Sequence, residues 1–535
     1  MPAALRLVER LVEQRLDVSR VLLFARGPHR HNVRLQYYHG KRHSMGGRSR
    51  VTDIVFVYND VTAHTHYTCG LGVASIASFL ARHGLTSELV YYRRESDLPY
   101  ALDRVRRADP CLVGYYSPSS GFPALQRLSM AIRRQAPGLF QACGGPHVTL
   151  RPESLLETPS LDAVCIGYGE RPLLELAQRL RAGRDLAGIE GFWVARRDGR
   201  TGAGATIERN PPSVAFGDAD ELLGFDYELF LREFARFPDF SRERQRLEII
   251  FARGCSYRCA FCSNVALRKV MGPHIPRPSV EASIRVVKQS LAATGLTRVA
   301  FHDDNFTLDR TWFRSFVARY ADEVRVPFSC NLRADGFEAQ DARLLAEAGA
   351  ERIYIGVESG NAHIRNDVMR KGVSDEAIVR GFKLLENAGI PAVSQNIIGT
   401  PGETPAMFLD TVRLNARVAT RGAIISVFYP YPGTELAEYC DAHGLISRRL
   451  RGSRERNEDV LCTPQFPPAR IGFYRRSFAL LIRYERLHRA HPVLLPVPLT
   501  PRTAAPIARA MRLHRRTIGR LRAKRVPPTP ATTSG

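Results

Sequence analysis

Two separate series of short apolar runs, each run followed by a helical segment, constrain this chain more than any other feature. The first series holds Ile54–Tyr58, Leu89–Tyr92, Cys111–Tyr116, Phe140–Cys143 and Ala163–Ile166. Helical spacing fills Leu71–Arg82, Ala124–Arg134 and Leu173–Arg181 between or after them. Strands alternating with helices predict an α/β domain, a doubly wound, Rossmann-like sheet over residues 51–190. The second series holds Leu247–Phe251, Val299–His302, Phe328–Asn331, Arg352–Gly356, Ala392–Ile398 and Ile424–Phe428. Six such units predict a partial (β/α)6 barrel over 246–440, open on one side. Both architectures place ligands beyond the carboxyl ends of their strands. Residues 191–245 read as a connector opening with a β-hairpin, its turn at Asp198-Gly199. Residues 1–50 read as a basic extension, and 441–535 as a helical basic region ending in a Pro/Thr-rich tail of disordered composition.

The candidate motifs fall where these sheets would hold ligands. Immediately after the first barrel strand comes Arg253-Gly254-Cys255-Ser256-Tyr257-Arg258-Cys259-Ala260-Phe261-Cys262. Three thiolates cannot complete the four-cysteine set of an ordinary cubane cluster. A cubane held by three leaves one iron open to a substrate or cofactor. Zinc is the bland alternative, but zinc sites pair Cys-x-x-Cys units or combine Cys with His. The other seven of the 10 cysteines are scattered, several in apolar runs, and read as buried free thiols rather than a disulfide framework. In the first domain, the loops after the last two strands are Gly144-Gly145-Pro146-His147-Val148-Thr149 and Gly167-Tyr168-Gly169-Glu170. Glycines there let backbone approach a ligand closely, although tight strand-to-helix turns use the same residues.

The cysteine spacing, with Phe261 before the last cysteine, resembles the signature of the radical S-adenosylmethionine (SAM) superfamily. The strand-end series His302–Phe306, Asn331–Asp335, Gly356–Gly360, Ile397–Thr404 and Tyr429–Glu435 resembles those members that carry an N-terminal cobalamin-binding domain, the class B methyltransferase type. The glycine loops resemble that domain too. The resemblance covers roughly residues 53–440. It implies that Cys255, Cys259 and Cys262 ligate a [4Fe-4S] cluster whose fourth iron binds SAM. It implies that Glu358 and Arg333 contact SAM, that the Ile398-Gly399 backbone flanks adenine, and that Phe261 borders the site. It assigns Gly144, Gly145, His147, Gly167, Gly169 and Glu170 to cobalamin. A buried ion pair of Arg333 with Glu358 or Asp335 is the structural alternative, and Asp303 and Asp304 suit a metal or substrate site or a helix cap equally. No Asp-x-His-x-x-Gly motif occurs, so cobalamin is expected to bind without a histidine below the cobalt; His147 and His64 could challenge this, but both read more simply as loop hydrogen-bond donors.

The implied reaction is methylation of an unactivated carbon in a small or lipid-like molecule. A deoxyadenosyl radical from SAM opens the C–H bond and cobalamin delivers the methyl group. Ring-forming, oxidative or rearranging chemistry with the same cofactors is the second expectation, and RNA or protein modification the third. An electron donor such as flavodoxin or ferredoxin is implied as partner. The net charge of +24 is carried mainly by the ends: +8 in residues 1–50 and +9 in 501–535, leaving +7 for 51–500. Solvated arginine-rich ends explain this charge, and anionic lipid is the other partner they suit. Nucleic acid is not expected, because no RNA-binding aromatic motif is present. No long uncharged apolar run predicts a spanning helix, so the expected location is the cytoplasm, with peripheral membrane contact through the basic ends.

Overall fold

The computed structural model describes residues 52–61, 67–196, 206–214, 217–418, 420–447, 461–490 and 497–512. The basic N-terminal extension, His64, the Asp198-Gly199 turn and the Pro/Thr tail lie outside the described residues.

Thirteen described strands form two sheets. The first contains β1 (Ile54–Asn59), β2 (Ser87–Tyr92), β3 (Leu112–Tyr116), β4 (Phe140–Gly144), β5 (Ala163–Cys165), β6 (Phe192–Arg196) and β7 (Thr206–Arg209), in spatial order β2-β1-β3-β4-β5-β6-β7. The first five are parallel, and β6 and β7 add an antiparallel edge. The hairpin read as the start of a connector is therefore part of this sheet. Order reverses between β1 and β3, the crevice where doubly wound sheets bind ligands.

The second sheet contains β8 (Leu247–Ile249), β9 (Val299–Phe301), β10 (Phe328–Leu332), β11 (Ala350–Glu358), β12 (Ala392–Ile398) and β13 (Gly422–Val427). Each pairs in parallel with its sequence neighbour, and β8 and β13 do not pair with each other. This is the open six-unit barrel that the strand spacing predicts.

One hydrophobic core runs through both sheets. The connector helix Glu228–Phe234 buries Leu229, Phe230, Leu231 and Phe234. Phe234 meets Tyr91 edge-on at 4.9 Å, and Phe230 meets Tyr58 at 5.5 Å. Each fully buried aromatic contributes about 1.5–3 kcal/mol of apolar burial, so the connector helix is fastened to the first sheet. A second core forms where the helix Pro468–Ala490 lays Ile471, Tyr474, Phe478 and Leu481 on Phe408, Leu409 and Val412 of the helix Pro405–Arg417. Among the described residues no helix is long and apolar enough to cross a membrane.

Candidate active site between the sheet domain and the barrel

A cavity of about 320 Å³ opens where the two sheets meet. From the first sheet it takes Phe56 of β1, Gly114–Tyr116 of β3 and Cys165 of β5, with the two glycine loops. From the barrel it takes Arg253, Gly254 and Asp304, with one face of the helix Ser263–Met271.

The glycines shape the first wall in different ways. Gly145 has φ +102°, and a Cβ there would stand 3.0 Å from Tyr116 and 3.1 Å from the Ser117 carbonyl. Gly167 has φ +95°, and its Cβ would stand 2.2 Å from the Ser213 carbonyl oxygen. At Gly169 a Cβ would meet Ile76 at 2.9 Å, whereas at Gly144 the nearest atom is 3.8 Å away. Thr149 Oγ1 accepts from the Gly167 N–H at 3.2 Å and joins the two loops.

His147 is a correction. Its ring nitrogens meet Ser119 Oγ and Ser154 Oγ, each at 3.1 Å, and the ring packs 4.2 Å from that of Phe122. Burial, with Arg151 nearby, lowers its pKa to about 4. This buried, neutral ring anchors the loop and does not line the cavity.

The cysteine loop is held from several sides. The Asp303 carboxylate is fully buried and accepts from the Phe251 and Ala252 N–H groups, both at 2.9 Å. Arg277 stands 3.6 Å from that carboxylate and lies over the Trp312 ring at 4.5 Å. Asp303 therefore braces the loop, and the following helix is capped by Asp309 instead. Arg268 donates to the Cys255 carbonyl at 2.9 Å. Ala260 N–H donates to Met369 O, and Leu436 N–H to Ala260 O, clamping the loop between the turn His363–Val368 and the helix Glu435–Ala442. Phe261 packs with Phe428, Tyr429 and Leu436.

Cys259 is buried, and Cys255 and Cys262 are half-buried. Burial, Asp304 and the two neighbouring thiols raise Cys262 to about 12; burial, Asp304 and Cys259 likewise raise Cys255. The three thiols thus feel one another's charge. Among the described residues no three Cys, His, Asp or Glu groups are set to hold one metal ion. Cys255, Cys259 and Cys262 would be the residues to hold a cluster, and its iron would supply the positive charge that a buried, mutually repelling trio of thiols needs to ionise.

The remaining expected residues sit on the adjoining strand ends. Glu358 closes β11 with φ +62°, at a shift in register against β12. Non-glycine residues in this region cost of order 1–3 kcal/mol and persist where the surroundings impose them. Here Lys371 Nζ lies 2.9 Å from Glu358 Oε1, and a Cβ on Gly356 would stand 2.4 Å from that same oxygen. Arg365, 1% exposed, donates to Ser359 O, Val373 O and Asp375 and so fixes the loop that delivers Lys371. Arg333 pairs with Asp335 at 2.7 Å, donates to the Lys371 and Gly372 carbonyls, and lies 3.9 Å from the centre of the Tyr257 ring. Arg333 pairs with Asp335 and Glu358 with Lys371, so Arg333 serves the cysteine loop and the Lys371 loop together.

Ile398 is fully buried, and Gly399 turns away at φ +83°. Glu403 Oε2 accepts from the Gly399 N–H at 2.6 Å, while its Oε1 is buried and has no hydrogen-bond partner among the described residues. Burial raises this carboxyl to about 8, against the Gly399 and Thr400 backbone bonds. Its folded pKa exceeds its unfolded value, so the stabilisation is complete below the usual carboxylate range and is lost as pH rises through about 8. Glutamine at 403 keeps the acceptor and cannot ionise. Glu403→Gln should therefore gain on the parent by up to about 1.4 kcal/mol per pH unit between about pH 6 and 8, then level off. Denaturant titrations across that range check this; a pH-independent difference would contradict it.

Comparison with known proteins matches the same two parts. The B12 binding domain model matches residues 60–177, and the Radical SAM superfamily model matches 249–414. An uncharacterized methyltransferase of Pyrococcus horikoshii is 27% identical over 386 residues, 70% of this chain and 79% of that one. The anaerobic magnesium-protoporphyrin IX monomethyl ester cyclase of Rubrivivax gelatinosus is 24% identical over 374 residues, 68% of this chain and 65% of that one. The structure of the radical SAM methyltransferase TsrM from Kitasatospora setae, with cobalamin and a [4Fe-4S] cluster bound, shares the fold. Its TM-score is 0.57 at 20% identity, covering 74% of this chain and 79% of that one. A B12-binding sheet whose glycine loops face a radical SAM cysteine loop across one cavity makes this chain a member of the cobalamin-binding radical SAM enzymes, with a [4Fe-4S] cluster, SAM and cobalamin as its cofactors.

Proposed function

We propose that this enzyme transfers a methyl group to an unactivated carbon of a small or lipid-like molecule. The observation that carries the reading is the shared cavity: the cobalamin-side loops and the start of the cysteine loop line one chamber. Cluster and SAM together supply a hydrogen-abstracting carbon radical, and cobalamin supplies the methyl group. On this reading Cys255, Cys259 and Cys262 hold the cluster. Lys371 fixes the Glu358 carboxylate where SAM's polar end would lie, and Glu403 keeps the Gly399 turn in place for adenine. The glycine walls exclude water from the corrin face. His147 is held by Ser119 and Ser154 and does not line the cavity, whereas His274 is among the residues that do. Reducing equivalents come from a small carrier of the flavodoxin or ferredoxin type.

The similarity to the Rubrivivax cyclase supports a second reading, oxidative ring closure with the same cofactors. Product mass separates the two. Anaerobically reconstituted enzyme is incubated with cobalamin, an extract of candidate metabolites and SAM bearing a trideuterated methyl group. Methyl transfer yields a product carrying the labelled methyl. A product that has lost hydrogen and gained no label establishes the cyclase reading and removes this proposal.

A further inference from the structure

The first turn of the helix Glu170–Ala182 and the residue two places before Cys255 are joined by a buried ion pair. Glu170 is 1% exposed, and its Oε1 lies 2.7 Å from Arg253 Nη2. Ser75 Oγ, on the helix Leu71–Arg82, closes a triangle: it donates to Glu170 Oε1 at 3.0 Å and accepts from Arg253 Nη2 at 2.8 Å. Two elements of the cobalamin-binding sheet therefore grip the peptide that leads into the cluster ligands.

Three further observations give this grip a direction. Glu170 and Arg253 both line the cavity. Glu170 Oε2 is buried and has no hydrogen-bond partner among the described residues, although a buried carboxylate oxygen normally accepts at least one bond. Burial alone would raise the carboxyl, but Arg253, with the Glu170 backbone N–H and Ser75, outweighs it and holds Glu170 below the usual range, hence ionised. A buried, ionised oxygen on a residue that lines a ligand chamber suits a neutral donor. Cobalamin presents primary amides around its corrin edge. On the other side, Arg253 leads into Gly254 at φ +134° and Cys255, whose carbonyl is held only one residue further on by Arg268. A shift of the guanidinium moves the peptide that positions the first cluster ligand.

We propose that the Ser75–Glu170–Arg253 triangle couples occupancy of the cobalamin chamber to the geometry of the cysteine loop, with Glu170 Oε2 receiving a corrin amide N–H. Glu170 and Arg253 are thus positioning residues that make two cofactors report on each other. This inference rests on the assignment of cobalamin and the cluster to this chain. Reciprocity then requires that the cluster tighten cobalamin binding by the factor by which cobalamin stabilises the cluster loop.

The test is a thermodynamic cycle on the full chain. Hydroxocobalamin is titrated, by its visible spectrum, into parent, Glu170→Gln, Arg253→Gln and the double variant, each with and without the reconstituted cluster. Electron paramagnetic resonance of the reduced cluster is recorded with and without cobalamin. In the parent the cluster should tighten cobalamin binding roughly tenfold, within the usual range of such couplings, and cobalamin should alter the cluster signal. In either single variant both effects should disappear while iron content is kept. The double variant, whose two amides can still pair, should keep cluster and fold without restoring the coupling. Cobalamin affinity that ignores the cluster in a parent binding both cofactors overturns this inference alone. Variants that retain the full coupling also overturn it. A parent that takes up no cobalamin overturns it together with the assignment beneath it.

Discussion

Cys259→Ala should leave a folded chain that binds cobalamin but no longer cleaves SAM. Cys259 is the most buried of the three cluster cysteines, and its loop is held by bonds that do not involve its thiol. Ala260 is tied to Met369 and Leu436, and Asp303 grips Phe251 and Ala252 just beyond β8. The backbone therefore has reason to stay in place when the sulfur goes. The cobalamin wall lies on the other sheet and loses nothing. Substitutions that merely touch a metal ligand already cost roughly 10–100-fold in affinity or activity, and removal of one of only three ligands exceeds that. Iron content and 5′-deoxyadenosine formation should both fall at least about 100-fold, with the cobalamin spectrum of the titrated protein unchanged. Retention of a SAM-cleaving cluster in this variant would refute the three-thiolate assignment.

The sequence carried the large features because they depend on local patterns. Alternating apolar runs fixed both sheets, since parallel strands buried on both faces read as short apolar segments. Three cysteines within eight positions cannot avoid meeting, so the cluster loop was visible without any tertiary information. What escaped was pairing across distance. Arg253 and Glu170 are 83 positions apart, and nothing local in either motif points to the other. Glu358 and Lys371 pair because a π-type turn at His363–Val368 and the buried Arg365 bring the later loop back onto the strand end. Residues 192–209 were read as a connector because a hairpin after a parallel series looks like a boundary; the structure adds it to the sheet edge. His147 was placed at the cofactor because it follows two glycines. Its two serine partners lie 28 and 7 positions away and turn it inward.

The glycines test how far a motif can be trusted without a structure, because Gly144 and Gly167 look alike in sequence and differ in space. Gly167→Ala forces a Cβ to within 2.2 Å of the Ser213 carbonyl oxygen, at a backbone angle that L-residues rarely adopt. That carbonyl accepts from the Tyr168 N–H at 3.0 Å, and Ser213 N–H donates to Ile166 at 2.9 Å, so the segment cannot move aside without breaking both bonds. Two lost buried bonds and a strained residue together cost several kcal/mol at roughly 1–3 kcal/mol each. Because this segment walls the chamber, cobalamin affinity should fall at least about tenfold, the equivalent of some 1.4 kcal/mol. Gly144→Ala meets nothing closer than 3.8 Å and has ordinary backbone angles, so its fold should be unchanged. If corrin approaches β4 as closely as the glycine loop suggests, Gly144→Ala weakens cobalamin binding with no loss of stability, whereas Gly167→Ala weakens both. Paired unfolding and cobalamin titrations on the two variants separate a glycine kept for the chain from a glycine kept for the ligand. Equal stability of Gly167→Ala and the parent would show that the Ser213 contact does not constrain this wall.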